Sequence, residues 1–128
     1  MSFDPYCRLY LQSPLEKAEL LKQCAHSVGG TVSGSVLENE LLVFDLKSND
    51  DFDEDRFTAE NRFVFAKYTA EIEGIDFEVS EDDFIDTLCK LIVALRASGI
   101  LVSASCDFEE TVVEKTGWNW TESSPHHP

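Results

Sequence analysis

A chain of 128 residues that is 43% hydrophobic, with 9 Phe, 3 Tyr and 2 Trp, has the length of one ordinary domain and enough apolar surface to close a core. Disordered and collagen-like classes are excluded on these figures. Its 25 acidic against 10 basic residues, a net charge of −15, predict repulsion from nucleic acid and anionic membranes and attraction to basic proteins.

The opening Met1-Ser2-Phe3-Asp4-Pro5 lacks the basic region and apolar run of a signal peptide. The longest aliphatic run, Leu91-Ile92-Val93-Ala94-Leu95, is far short of the roughly 20 residues of a spanning helix. These features predict a cytoplasmic protein without membrane contact. Cys7, Cys24, Cys89 and Cys106 lie far apart with no Cys-x-x-Cys pair, which reads as free thiols packed like small hydrophobes.

Residues 7–12 alternate as a half-buried strand does. Ser13-Pro14-Leu15-Glu16 then predicts a helix start with a capping box, and Gly29-Gly30 its stop. Residues 31–36 form a weak strand and residues 41–46 a better one. The pair reads either as one bent strand or as a hairpin through Leu37-Glu38-Asn39-Glu40. A polar stretch over residues 48–61 reads as a loop, and residues 62–72 as a long strand with Val64, Ala66, Tyr68, Ala70 and Ile72 on one face. The second helix is capped by Ser80, carries Glu81, Asp82 and Asp83 in its first turn, and ends at Gly99. Residues 100–106 return as a strand, Thr111-Val112-Val113 as a weak one, and residues 123–128 as a disordered tail. The order predicts one α+β domain over residues 1–122. The closest arrangement is a ferredoxin-like split β-α-β, with a mostly antiparallel sheet and two helices on one face. Right-handed crossovers would set the first and last strands near the sheet centre.

Catalytic signals are missing. His126 and His127 sit in the tail, and His26, near the end of the first helix, reads as a dipole partner and not as a general base. No nucleophile elbow, phosphate-binding glycine loop or zinc-helix motif is present, so the chain reads as a non-enzyme without cofactors. An EF-hand count from Asn49 puts Asp51, Asp53 and Glu60 at ligand positions. Glu54 stands where the turn needs glycine and Arg56 where an apolar residue packs, so no metal is expected.

Charge clustering carries more information. Residues 38–60 hold nine acids and two bases, and residues 71–86 hold eight acids and no base. Such concentration reads as a steering surface for a cationic partner. Phe52 and Phe57 interrupt the acidic run Asp50, Asp51, Asp53, Glu54 and Asp55, and Trp118 and Trp120 stand in a sparse C-terminal segment. Aromatics ringed by polar groups are typical interface anchors. Phe52 and Phe57 read equally well as pins holding the loop to the body.

The loop Asn49-Asp50-Asp51-Phe52-Asp53 after a strand, the aromatic segment 62–72, and a second helix leading into Ala104-Ser105-Cys106-Asp107-Phe108-Glu109-Glu110 together resemble the small immunity proteins of bacterial polymorphic toxin systems. The resemblance runs over most of residues 7–110. It implies a protein encoded beside a secreted toxin of the type VI or contact-dependent kind, neutralising that toxin's basic C-terminal domain by stoichiometric binding. The alternative is an acidic nucleic-acid mimic or adaptor that occupies a basic protein of the cell itself.

Overall fold

The computed structural model describes residues 4–60, 63–76 and 78–117. The chain is α+β, and its strands form a single six-stranded antiparallel sheet. In chain order come β1 (Tyr6–Gln12), α1 (Lys17–Val28), β2 (Thr31–Ser33), β3 (Val36–Glu38) and β4 (Leu42–Ser48). They are followed by α2 (Glu54–Glu60), a 3-10 turn at Phe63–Phe65, β5 (Tyr68–Gly74), α3 (Glu81–Ala97), β6 (Leu101–Ser105) and α4 (Glu109–Thr116). Across the sheet the order is β2-β3-β4-β5-β1-β6. β1 is interior, whereas β6 forms an edge, so the expected central position holds for the first strand and not for the last.

Strict alternation divides the sheet into two faces. Cys7, Leu9 and Leu11 of β1, Leu42, Phe44 and Leu46 of β4, Tyr68, Ala70 and Ile72 of β5, and Val102 and Ala104 of β6 are buried together. α1 and α3 cover that face, inserting Leu20, Leu21 and Cys24 from one helix and Phe84, Leu88, Leu91, Ile92 and Leu95 from the other. The face-sharing read for residues 64–72 is correct for Tyr68, Ala70 and Ile72.

Four α-helices among the described residues replace the expected two. α4 forms where a weak strand was read at Thr111-Val112-Val113. Glu109 and Glu110 in its first turn, Lys115 in its last and Gly117 in the left-handed conformation (φ 97°) outweigh the β-branched run. Buried Val112 seats it, Phe108 meets Phe84 edge-on at 6.2 Å, and Arg96 of α3 donates to the Val102 carbonyl (2.8 Å) and to Thr116 Oγ1 (2.9 Å).

Two further boundaries differ from the sequence reading. Ser13 does not cap α1: its hydroxyl accepts from the Leu15 amide at 3.1 Å, and Glu16 occupies the cap position without a side-chain bond. Residues 31–48 form neither one bent strand nor a single hairpin. β2 and β3 pair through a turn at Gly34, and β3 and β4 through a second turn, where Asn39 Oδ1 accepts from the amides of Leu41 (2.7 Å) and Leu42 (2.9 Å). Gly30 permits the approach of β3, because a Cβ there would stand 2.4 Å from the Glu38 carbonyl oxygen.

No helix among the described residues is long and apolar enough to cross a membrane.

Candidate functional site: an acidic loop at one end of the sheet

The segment between β4 and β5 is built around Asn49. Its amide nitrogen Nδ2 donates to the carbonyls of Val64 (2.9 Å) and Ala66 (2.8 Å), and its Oδ1 accepts from the Asp51 amide (3.1 Å). Its main-chain amide donates to Lys67 O (2.9 Å), and the Lys67 amide in turn donates to Gln12 Oε1 at the end of β1 (2.8 Å). One side chain thus ties the outgoing and returning halves of the loop to each other. This is why residues 62–72 do not run as one strand: the carbonyls of Val64 and Ala66 serve Asn49 instead of a neighbouring strand.

Asp53 fixes the next step. Its amide donates to Phe65 O (3.2 Å), its Oδ1 accepts from the Arg56 amide (3.0 Å), and its carbonyl accepts from Phe57 N (2.8 Å). Asp53 is therefore the cap of α2, with Glu54 and Asp55 in the favourable first turn. The stretch that reads as a polar acidic loop contains a short helix. The signal was the one that located α3, a capping residue followed by acids. Arg56 lies over the Phe65 ring at 4.2 Å, and Phe63 meets Tyr10 edge-on at 5.0 Å, which seats the returning segment on the sheet face opposite the core.

This scaffold presents the expected residues unequally. Asp50, Asp51, Glu54 and Asp55 are exposed, and Asp53 is half-buried in its capping role. Phe52 is 40% exposed, one of few large apolar side chains so open to solvent, whereas Phe57 is half-buried. The loop is fastened by the hydrogen bonds of Asn49 and Asp53. Trp118, Trp120 and the tail at 123–128 lie outside the described residues.

The exposed acids of the two stretches gather at opposite ends of the sheet, with half-buried Asp45 and Glu71 paired between them. Glu38 and Glu40 sit at the β3–β4 turn beside the β5–α3 connection, where Ile75 N donates to Leu41 O (2.9 Å) and Leu42 pairs with Gly74. They join exposed Glu73, Asp76, Glu78, Glu81, Asp82 and Asp83 at that end of the sheet. The Asn49 loop leaves the opposite end, where Ser48 pairs with Tyr68. β4 spans the gap, about 20 Å at the usual rise per residue. The acidic surface read from the sequence thus has two exposed poles, and the one at the loop carries Phe52.

On the open sheet face near the distant pole, Tyr6 and Arg8 both donate to Glu71, the guanidinium at 2.6 Å. Burial pushes the Glu71 carboxyl up, but the bonds from Tyr6 and Arg8 outweigh it and hold the group below its ordinary value. Burial and the same carboxylate push the Tyr6 hydroxyl up to about 12. Asn49 and Asp53, two of the four positions in the calcium count, are committed to main-chain groups. Among the described residues no three His, Cys, Asp or Glu side chains converge on a metal position. His26 stands exposed in the last turn of α1.

Comparison with protein-family models, curated proteins and solved structures returns no match.

Proposed function

We propose that this protein is an immunity protein. It neutralises the basic C-terminal domain of a toxin encoded beside it by stoichiometric binding in the cytoplasm, and performs no catalysis of its own. One observation carries the reading: an open aromatic, Phe52, held on a hydrogen-bonded loop among Asp50, Asp51, Asp53, Glu54 and Asp55. A pinned loop loses little conformational freedom on docking, so more of the contact energy reaches affinity. Carboxylates around an apolar anchor steer a cationic partner and then exclude water from the contact. Toxins that act on nucleic acids or nucleotides hold their substrates in basic clefts, and the loop offers such a cleft negative charge with an aromatic face. Phe57 is more covered than Phe52.

We read β1, α1, β4, β5, α3 and β6, whose strands lie in the order β4-β5-β1-β6, as a split β-α-β unit of the kind expected of such proteins. We read the β2–β3 hairpin as an addition at its β4 edge, and α2 and α4 as additions to its connections. Fold alone does not define activity, so the assignment is tested by function. Co-expression should protect cells from the neighbouring toxin and yield a 1:1 complex on co-purification. Absence of both protection and complex would reject the immunity reading.

A further inference from the structure

β1 and β6 run antiparallel with Arg8 opposite Ser105 and Leu9 opposite Ala104. One step further along this register sets Cys7 against Cys106, from opposite ends of the sequence. Both point to the helix-covered side of the sheet. Cys7 is fully buried, whereas Cys106 packs against the core and keeps part of its surface open. The Cys7 thiol donates to the Arg8 carbonyl at 3.6 Å, and the two thiols lie close enough to shift each other's titration. Opposed residues of an antiparallel pair have Cα atoms about 4.5–5.5 Å apart, inside the range that a disulfide spans.

The two sulfurs differ in the way a sequential reaction needs. Interaction with Cys7, aided by the main chain of Phe108 at the start of α4, draws the Cys106 thiol below its ordinary value; burial, Glu109 and Asp107 oppose this without reversing it. Cys7 is pushed well up by its interaction with Cys106 and by burial. Cys24 and Cys89 are driven up to about 12 and about 11, burial being the leading cause in each. A lowered thiol value and solvent reach therefore coincide at Cys106, on the strand beside the one that carries Cys7.

We propose that Cys106 and Cys7 form a hydroperoxide-oxidisable dithiol, closing to an intramolecular disulfide between β1 and the corner joining β6 to α4. The Cys106 thiolate attacks one peroxide oxygen. An S–O bond forms, the O–O bond breaks, and the departing oxygen takes up the thiol's proton to leave as water or alcohol. The sulfur of Cys7 then attacks the Cys106 sulfenic acid. The S–S bond forms, the S–O bond breaks, and the hydroxyl leaves as water with the proton of Cys7. Two thiols lose two electrons and the hydroperoxide gains them. The disulfide would fasten the corner that carries α4 to an interior strand.

The test is treatment of the full reduced chain with equimolar hydrogen peroxide, followed by intact mass, thiol titration and peptide mapping. The chain should lose about 2 Da, the mass of two hydrogens. Its four free thiols should fall to two, a peptide should join Cys7 to Cys106, and dithiothreitol should reverse all three. Four persisting thiols, oxygen added to Cys106 without a cross-link, or a cross-link between any other pair would overturn the proposal. In Cys7→Ser, a dimedone probe should label Cys106; labelling at Cys24 or Cys89 instead would also overturn it. Should that variant fail to fold, the result on the unaltered chain decides.

Discussion

Replacing Asn49 by alanine removes three side-chain hydrogen bonds, to Val64 O, Ala66 O and Asp51 N, and leaves the two main-chain bonds of residue 49 in place. A net contribution near 1 kcal/mol applies to each bond whose partner is shielded from water. The Asp51 amide is exposed and rehydrates, whereas Ala66 is buried and Val64 half-buried. The expected cost is thus about 2–3 kcal/mol. For a domain of this size that lowers the melting temperature by roughly 10 °C. Asn49→Asp should cost more, since a carboxylate oxygen would face two carbonyls in a loop already rich in negative charge. Thermal unfolding followed by circular dichroism reads the loss, and hydrogen exchange locates it. The amides of Asn49, Phe52 and Asp53, which donate to Lys67, Asn49 and Phe65, should lose protection while those of β1 keep theirs. A melting point within about 2 °C of the unaltered chain, with those amides still protected, would refute the view that this side chain organises the loop.

Phe52→Ala should cost about 1 kcal/mol of stability or less, because much of the ring already faces water. The same change should quicken dissociation from the proposed toxin partner by about 2 kcal/mol or more, the mark of an anchor; a large melting shift with unchanged dissociation would make the residue a core pin instead. Millimolar calcium should leave the melting temperature within a degree or so of that in magnesium, where a saturated site would add about 2.7 kcal/mol. Glu71 has a depressed folded value, so its contribution is present above the ordinary carboxylate range and is lost as pH falls through the folded value. Glu71→Gln should accordingly be less stable at neutral pH and flatter across the acid limb of a stability profile. Tyr6 has the opposite sign: between about 10 and about 12 the folded state holds the proton that the unfolded chain has released, so stability falls as pH rises there, and Tyr6→Phe should flatten that limb.

The elements legible in the sequence were those whose local signals agreed with their packing. α3 has a capping serine whose hydroxyl accepts from Asp83 N at 3.3 Å, three first-turn acids and a continuous apolar stripe, and it forms where those residues place it. β1 alternates cleanly and stands where alternation set it. The failures came where a nonlocal bond decided between local choices. Residues 62–66 alternate as a strand would, yet Asn49 and Asp53, more than ten residues earlier, take the carbonyls of Val64, Phe65 and Ala66. α2 and α4 carried helix-start signals that an acidic run and a β-branched triplet obscured. Of the candidate site, its residues were legible and its division was not. Only the pairing of β4 with β5 shows that Glu38 and Glu40 belong with residues 73–83 and not with Asp50 and Asp51. Cys7 and Cys106 were read as isolated thiols because a register between the first and last strands is invisible to spacing.

The central claim is that the loop carrying Phe52, and not the other acidic pole, recognises the partner. Association rates with the proposed toxin partner, measured at low and moderate salt, test it directly on two charge-reversed chains, Asp50→Lys with Asp51→Lys, and Glu78→Lys with Asp82→Lys. The first pair should slow association at low salt by about tenfold or more and flatten its salt dependence, and the second should change it by no more than about twofold. An unchanged rate for the loop variant, or an equal loss for the opposite pole, would contradict the account.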